Sequence, residues 1–198
     1  EPSFSSEILE QLVELYLEET QPSVVALTVP FPGNMLGALR IAQVCKEINP
    51  DLPVVMGGGF INTELRALKD TRLFEFVDFI CLDDGERPLL TLLEYLKGER
   101  EVDDLVRTYF LAEDETGERY VHLNENTALH DIPQTEVGAP VYDGLPLSDY
   151  LSLCEMLNPM HRIWSDGRWN KLTIAHGCYW RKPKTMRGRL RTCKLKII

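Results

Sequence analysis

The chain has 198 residues, 44% of them hydrophobic and 26% charged, with a net charge of −10. That balance belongs to an ordinary globular protein and excludes wholesale disorder, and the excess of 31 acidic over 21 basic residues disfavours nucleic acid and anionic membranes as partners. No run of about 18 apolar residues occurs, the opening Glu1-Pro2-Ser3-Phe4 lacks the basic start and apolar core of a signal peptide, and five scattered cysteines form no disulfide framework, so a cytoplasmic location is expected.

Between residues 5 and 20, Ile8, Leu9, Leu12, Val13, Leu15, Tyr16 and Leu17 recur at helical spacing, with Ser5 or Ser6 as N-cap candidates. Residues 23–29 are a nearly continuous apolar, β-branched run, which predicts a strand buried on both faces of a parallel sheet. Pro30-Phe31-Pro32-Gly33-Asn34 breaks it, and residues 36–48 read as a second helix. After Asn49-Pro50, residues 52–56 give a short buried strand that runs into Gly57-Gly58-Gly59, with Asn62 or Thr63 placed to cap the next helix. Residues 76–82 predict a third strand, Asp83-Asp84-Gly85-Glu86 a tight turn, and residues 88–96 a helix. Strands alternating with helices through short connections describe right-handed βαβ units.

The period then changes. Residues 105–111 and 119–123 flank Asp114-Glu115-Thr116-Gly117, the pattern of a β-hairpin. Residues 124–149, with Pro133, Pro140 and Pro146, resemble a linker or arm, a helix is expected at 148–157, and residues 171–175 have the makings of a further strand. The expected divisions are 1–104 for the α/β unit, 105–123 for the hairpin, 124–170 for the arm with its helix, and 171–198 for the last segment. That segment is unlike the rest. Residues 181–198 hold 8 of the 21 basic residues and no acid, leaving 13 basic against 31 acidic residues, a charge of −18, on residues 1–180.

The glycine run follows a parallel strand, where open α/β sheets bind ligands and where a backbone without Cβ atoms lets a cofactor approach. The same glycines could merely let the chain turn. They do not form a G-x-G-x-x-G motif, so a nicotinamide dinucleotide site is not expected. Glu86 and its neighbours could present carboxylates to a ligand, while Asp84 is placed to cap the helix that follows. With the loop after the first strand on the same sheet edge, Thr28, Asn34, Gly57, Gly58, Gly59 and Glu86 are expected to converge on one crevice. His122, His130, His161 and His176 have no metal-ligand spacing, and no C-x-x-C pair occurs, so by spacing alone Cys178 is an ordinary thiol.

The order of elements, together with the words Pro22-Ser23-Val24-Val25-Ala26-Leu27-Thr28, Ile48-Asn49-Pro50, Pro53-Val54-Val55-Met56-Gly57-Gly58-Gly59 and Val77-Asp78-Phe79-Ile80 leading to Asp84-Gly85-Glu86, resembles the cobalamin-binding-domain class of radical S-adenosylmethionine Fe–S oxidoreductases. Residues 142–151 are similar to that family's lead into its catalytic barrel, and residues 171–180 to the barrel's first strand and first cluster cysteine. The resemblance implies an α/β, Rossmann-like domain of cobalamin-binding type followed by a partial barrel. It implies cobalamin as the small-molecule cofactor of this chain. It also implies that Cys178 is the first of three cysteines holding a [4Fe–4S] cluster, which with S-adenosylmethionine belongs to the full-length parent.

Two departures qualify those implications. No cysteine follows Trp180 within the next few residues, and the basic, acid-free stretch begins at that point, so the chain is expected to be an N-terminal piece, interrupted just inside the barrel and inactive alone. The D-x-H-x-x-G loop that supplies a cobalt ligand in many cobalamin domains is absent. A second expectation is therefore a non-catalytic module that has lost its cofactor, with the hairpin and arm offering surface to a partner or a homodimer. A phosphate or nucleotide in the glycine crevice is a third.

Overall fold

The computed structural model describes residues 4–125 and 129–145, with four short strands beyond them, and divides the chain into two compact units, residues 1–132 and 133–198. In the first unit the elements run α1 (Phe4–Thr20), β1 (Val25–Thr28), α2 (Met35–Ile48), β2 (Val54–Gly57), α3 (Gly59–Glu64), β3 (Phe79–Cys81), α4 (Glu86–Leu96), β4 (Val106–Glu113) and β5 (Arg119–Glu125). They form one five-stranded sheet in the order β1-β2-β3-β4-β5. The first three strands are parallel, and β4 and β5 join antiparallel. This is an open, mixed α/β sheet of Rossmann-like character. The hairpin of the sequence pattern thus continues the sheet, with Ile80 opposite Tyr109.

Alternation along the strands sorts side chains onto two faces. One face carries the register row Leu27, Met56, Ile80, Tyr109 and Leu123. Here α2 buries Ala38, Ala42 and Cys45, and α3 buries Ile61, against Val54, Met56 and Ile80. Removing side chains of this size from water contributes about 1.5–3 kcal/mol each, which makes this face the main source of stability. The other face carries Ala26, Val55, Phe79 and Phe110. Among the described residues α4 is the helix that lies on it, with Leu92 packed against Val55, Cys81 and Leu105, and with Tyr95 edge-on to Phe79.

The amino ends of the strands are closed by polar contacts. Asp78 accepts from Lys46 Nζ at 2.8 Å and from the Val54 amide at 2.7 Å, and the same Nζ donates to the carbonyls of Pro50 and Leu52. One carboxylate and one ammonium thereby tie the end of α2 to the starts of β2 and β3. At the far side of the sheet, the β4–β5 turn is wound around Asp114, whose carboxylate accepts from the amides of Thr116 and Glu118, while Gly117 supplies the left-handed residue at φ +83°.

Several sequence expectations are corrected here. The β1 strand is not buried on both faces: it lies at the sheet edge, and Ala26 and Thr28 are exposed on a part of the face that α4 does not reach. Ser5 and Ser6 fall inside α1. Asn62 and Thr63 fall inside α3, which is capped by Gly58, and α4 is capped by Gly85 rather than by Asp84.

In the second unit a short helix α5 (Gln134–Val137) precedes strands β6 (Ala175–His176), β7 (Lys184–Met186), β8 (Arg189–Arg191) and β9 (Lys196–Ile197). The β6 strand pairs antiparallel with β9, and β7 with β8; of the strand expected at 171–175, residue 175 lies in β6. The helix expected at 148–157 and residues 171–174 lie outside the described residues, as does Cys178.

Candidate functional site

Because α4 covers only the β3–β4 side of its face, a groove of about 380 Å³ stays open over the carboxyl ends of β1, β2 and β3. Its floor is set by the register of the strands: Ala26 lies opposite Val55, and Thr28 opposite Gly57. Small residues at those paired positions keep the floor low. Cys81 continues it on β3, and Gly85, Glu86 and Leu89 of the α4 start form one wall.

The structure brings four of the expected site residues, Thr28, Gly57, Gly58 and Glu86, to this groove. Asn34 and Gly59 are not among the lining residues. Asn34 closes the 3₁₀ turn Pro32–Asn34 that leads into α2, and Gly59 opens α3. Ala26, Val55, Cys81 and Leu89 were not singled out in the sequence. Period-2 alternation was the signal that could have found the first two, since it puts Ala26 with Thr28 and Val55 with Gly57 on one face.

The glycines divide between structure and access. Gly58 adopts φ +106° with extended ψ, a region open to glycine alone, and a Cβ there would meet the Val29 backbone at 2.8 Å. The crossing is that tight because the Val29 amide bonds the Gly57 carbonyl at 2.7 Å while the Val29 carbonyl accepts from Phe60. Gly58 is therefore required by the turn. Gly57 has an ordinary backbone, and a Cβ there would come 3.3 Å from the Cys81 carbonyl oxygen, filling space beside the groove floor.

Next to the groove, the turn after β3 is held by a polar cluster. Asp83 is left-handed at φ +64°. Asn62 secures it from both sides, its Oδ1 accepting from the Asp83 amide at 2.5 Å and its Nδ2 donating to the Asp83 carbonyl at 3.1 Å. The Asp83 carboxylate pairs with Arg66 and lies 3.3 Å from Arg107 Nε, which is off the line of a hydrogen bond and so makes a charge contact only. Arg107 sits at a β-bulge with φ +45°, and its guanidinium also pairs with Asp131, while Arg87 Nε donates to the His130 carbonyl at 3.0 Å. Two guanidinium groups thus offset the charge of Asp83 and leave Glu86 as the acidic group of the α4 first turn.

Cys81 does not act as a nucleophile here. Burial pushes its thiol up to about 11, opposed by the Thr108 hydroxyl 4.0 Å away, so at neutral pH the thiolate is absent. The groove offers a hydroxyl, backbone groups, the carboxylates of Glu86 and of the ion-paired Asp83, and an apolar floor: the equipment for binding and positioning. Among the described residues no cluster of three or more His, Cys, Asp or Glu could hold a metal ion, and no helix is long and apolar enough to cross a membrane.

No family model matches the chain, and no curated protein matches it. Among solved structures, a similar chain is the apo, selenomethionine-labelled cobalamin-dependent S-adenosylmethionine radical enzyme OxsB, 26% identical with a TM-score of 0.43. The match covers 59% of this chain and 15% of that one, so the chain corresponds to a small part of the enzyme's length.

Proposed function

We propose that residues 4–132 are a cofactor-holding domain of the cobalamin-binding type, within a radical S-adenosylmethionine Fe–S oxidoreductase, and that the groove beside α4 takes the nucleotide tail of cobalamin. The observation that carries this reading is the low floor of Ala26, Thr28 and Gly57, left uncovered at the carboxyl ends of parallel strands. The sequence resemblance at residues 22–28, 53–59 and 84–86 points the same way.

The residues fit such a tail. Thr28 presents a hydroxyl, the Gly57–Gly58 backbone is accessible without a Cβ in the way, and Val55 and Leu89 offer apolar contact to a flat ring. Cobalamin, when bound, would supply the cobalt chemistry, and the part of Thr28, Gly57, Gly58, Val55 and Leu89 would be to bind and orient its tail. Among the described residues the groove lining contains no histidine, so these residues would hold the cofactor by its tail. The cluster role of Cys178 rests on the resemblance alone. With no C-x-x-C pair in the sequence, this chain by itself binds cofactor and does not cleave S-adenosylmethionine.

Titration of the whole chain with hydroxocobalamin, followed by absorbance and by retention through desalting, tests the reading. One equivalent retained at tens of micromolar is expected, and no retention at about 100 µM overturns it. Thermal shifts with adenosine nucleotides but none with cobalamin would instead make the groove a nucleotide site.

A further inference from the structure

The outermost helix of the first unit is unfinished on one side. Glu10 of α1 pairs with Arg40 of α2 at 2.6 Å, and Val13 and Leu17 pack toward the core. At 100° per residue, Phe4, Ile8, Leu12, Leu15 and Tyr16 fall on the flank opposite Glu10, pointing away from α2. All five are exposed, Phe4 at 78% and Tyr16 at 62%, and no residue of α1 is fully buried. The stripe is on the order of 500 Å² of apolar surface, the size that marks an interaction site on a soluble protein.

Beneath that flank the sheet is also unfinished. On this face α3 follows α2, and the turn Thr71–Glu75 reaches β4 and β5, so α1 is the helix on the β1 side. The β1 strand is an edge. The Val25 amide bonds Pro53 and the Val29 amide bonds Gly57, which turns the amides and carbonyls of Ala26 and Thr28 toward the open side. Among the described residues an unpaired strand edge and an exposed apolar helix flank therefore lie on the same side of the unit.

We propose that this edge is an interface with a second copy of the chain. A two-fold axis perpendicular to the sheet sets β1 antiparallel to its copy, and the same axis sets the two α1 helices antiparallel above the seam, stripe against stripe. One operation satisfies both open features, as an isologous interface must. The two stripes together bury on the order of 1,000 Å², and the strand seam carries the total to the lower end of stable interfaces, about 1,200 Å². A dimer of moderate affinity is the result.

Sedimentation equilibrium of the full chain, from about 1 to 100 µM, tests the proposal. A mass of twice 22.7 kDa is expected at the upper end. The double variant Leu12→Lys with Leu15→Lys, both exposed and outside the groove, should weaken dimerisation at least tenfold while the far-ultraviolet circular dichroism stays unchanged. A native chain that is monomeric throughout the range overturns the proposal. So does a mass that climbs past the dimer, or a dimer that survives the double variant with its fold intact. Cobalamin retention is measured separately and stands or falls apart from this result.

Discussion

The two faces of the sheet are made by the same strands and differ in what covers them. On one, Met56 and Ile80 are fully buried under α2 and α3. On the other, α4 covers β3 and β4 and leaves Ala26 and Thr28 of the edge strand β1 exposed. A register row therefore runs from a small, exposed Ala26 through Val55 to a packed Phe79 and Phe110. Stability comes from the covered face and from the covered half of the other. The proposed binding site occupies the remaining quarter, where burial is incomplete and the residues are small. One sheet can hold both because β-strand alternation lets the two faces vary independently.

The sharpest way to break the covered side from the open side is at their junction. Gly58→Ala puts a Cβ 2.8 Å from the Val29 backbone in a conformation only glycine tolerates, and no flexible side chain is there to move away. A loss of about 3–5 kcal/mol in urea unfolding is expected. Retention of native stability would mean that the β1 and β2 ends separate easily, and that the groove floor is not rigid.

A smaller effect reports on Cys81, which belongs to both regions as groove floor and as core. Its thiol is raised from 9.0 to about 11 by burial. Below pH 9 the thiol is protonated in both folded and unfolded chains and costs nothing. Between pH 9 and 11 the unfolded thiol ionises first, so stability falls as pH rises, by up to about 2 kcal/mol. The difference in urea midpoint between the native chain and Cys81→Ala, followed from pH 8 to 10.5, isolates this contribution. A difference that does not change with pH would show Cys81 to be wetted from the groove.

Much of this architecture is legible in the residues and some of it is not, for identifiable reasons. The three parallel strands, the helices between them and the hairpin follow from local periodicity. The glycine run was correctly placed after a strand, and Thr28, Gly57, Gly58 and Glu86 meet where that placement predicts. What local pattern does not encode is coverage. The run through Val25 and Ala26 looks the same whether one face or two are buried, so the exposed side of β1 is visible only once the layers are in place. Long-range ties are equally hidden. Asn62 has the composition of a helix cap, and its use, bracketing the Asp83 backbone 21 residues away, depends on two turns meeting in space. Asn34 and Gly59 illustrate the limit from the other direction: each follows a groove-bearing strand in sequence, yet Asn34 takes the N-cap position of α2 and Gly59 the first position of α3.

The smallest effect on folding is expected from the change with the most direct bearing on function. Ala26 sits on the uncovered face of an edge strand, opposite Val55, where a larger side chain meets no covering helix. Ala26→Trp should leave the urea midpoint within about 0.5 kcal/mol of the native chain, as substitutions away from packed or strained positions do. An indole laid across the floor nevertheless takes the space that the nucleotide tail of cobalamin would occupy, so retention of hydroxocobalamin should weaken at least tenfold. The two readouts together decide between meanings of the open quarter. If binding falls while stability holds, the gap in the helix layer is a binding feature. If stability rises and cobalamin binding is unchanged, the indole has merely covered an incomplete face, and the cofactor is held elsewhere. The control lies across the same sheet: Met56→Ala, fully buried under α2, should cost about 2–5 kcal/mol, because there the layers already meet and a cavity has no ligand to fill it.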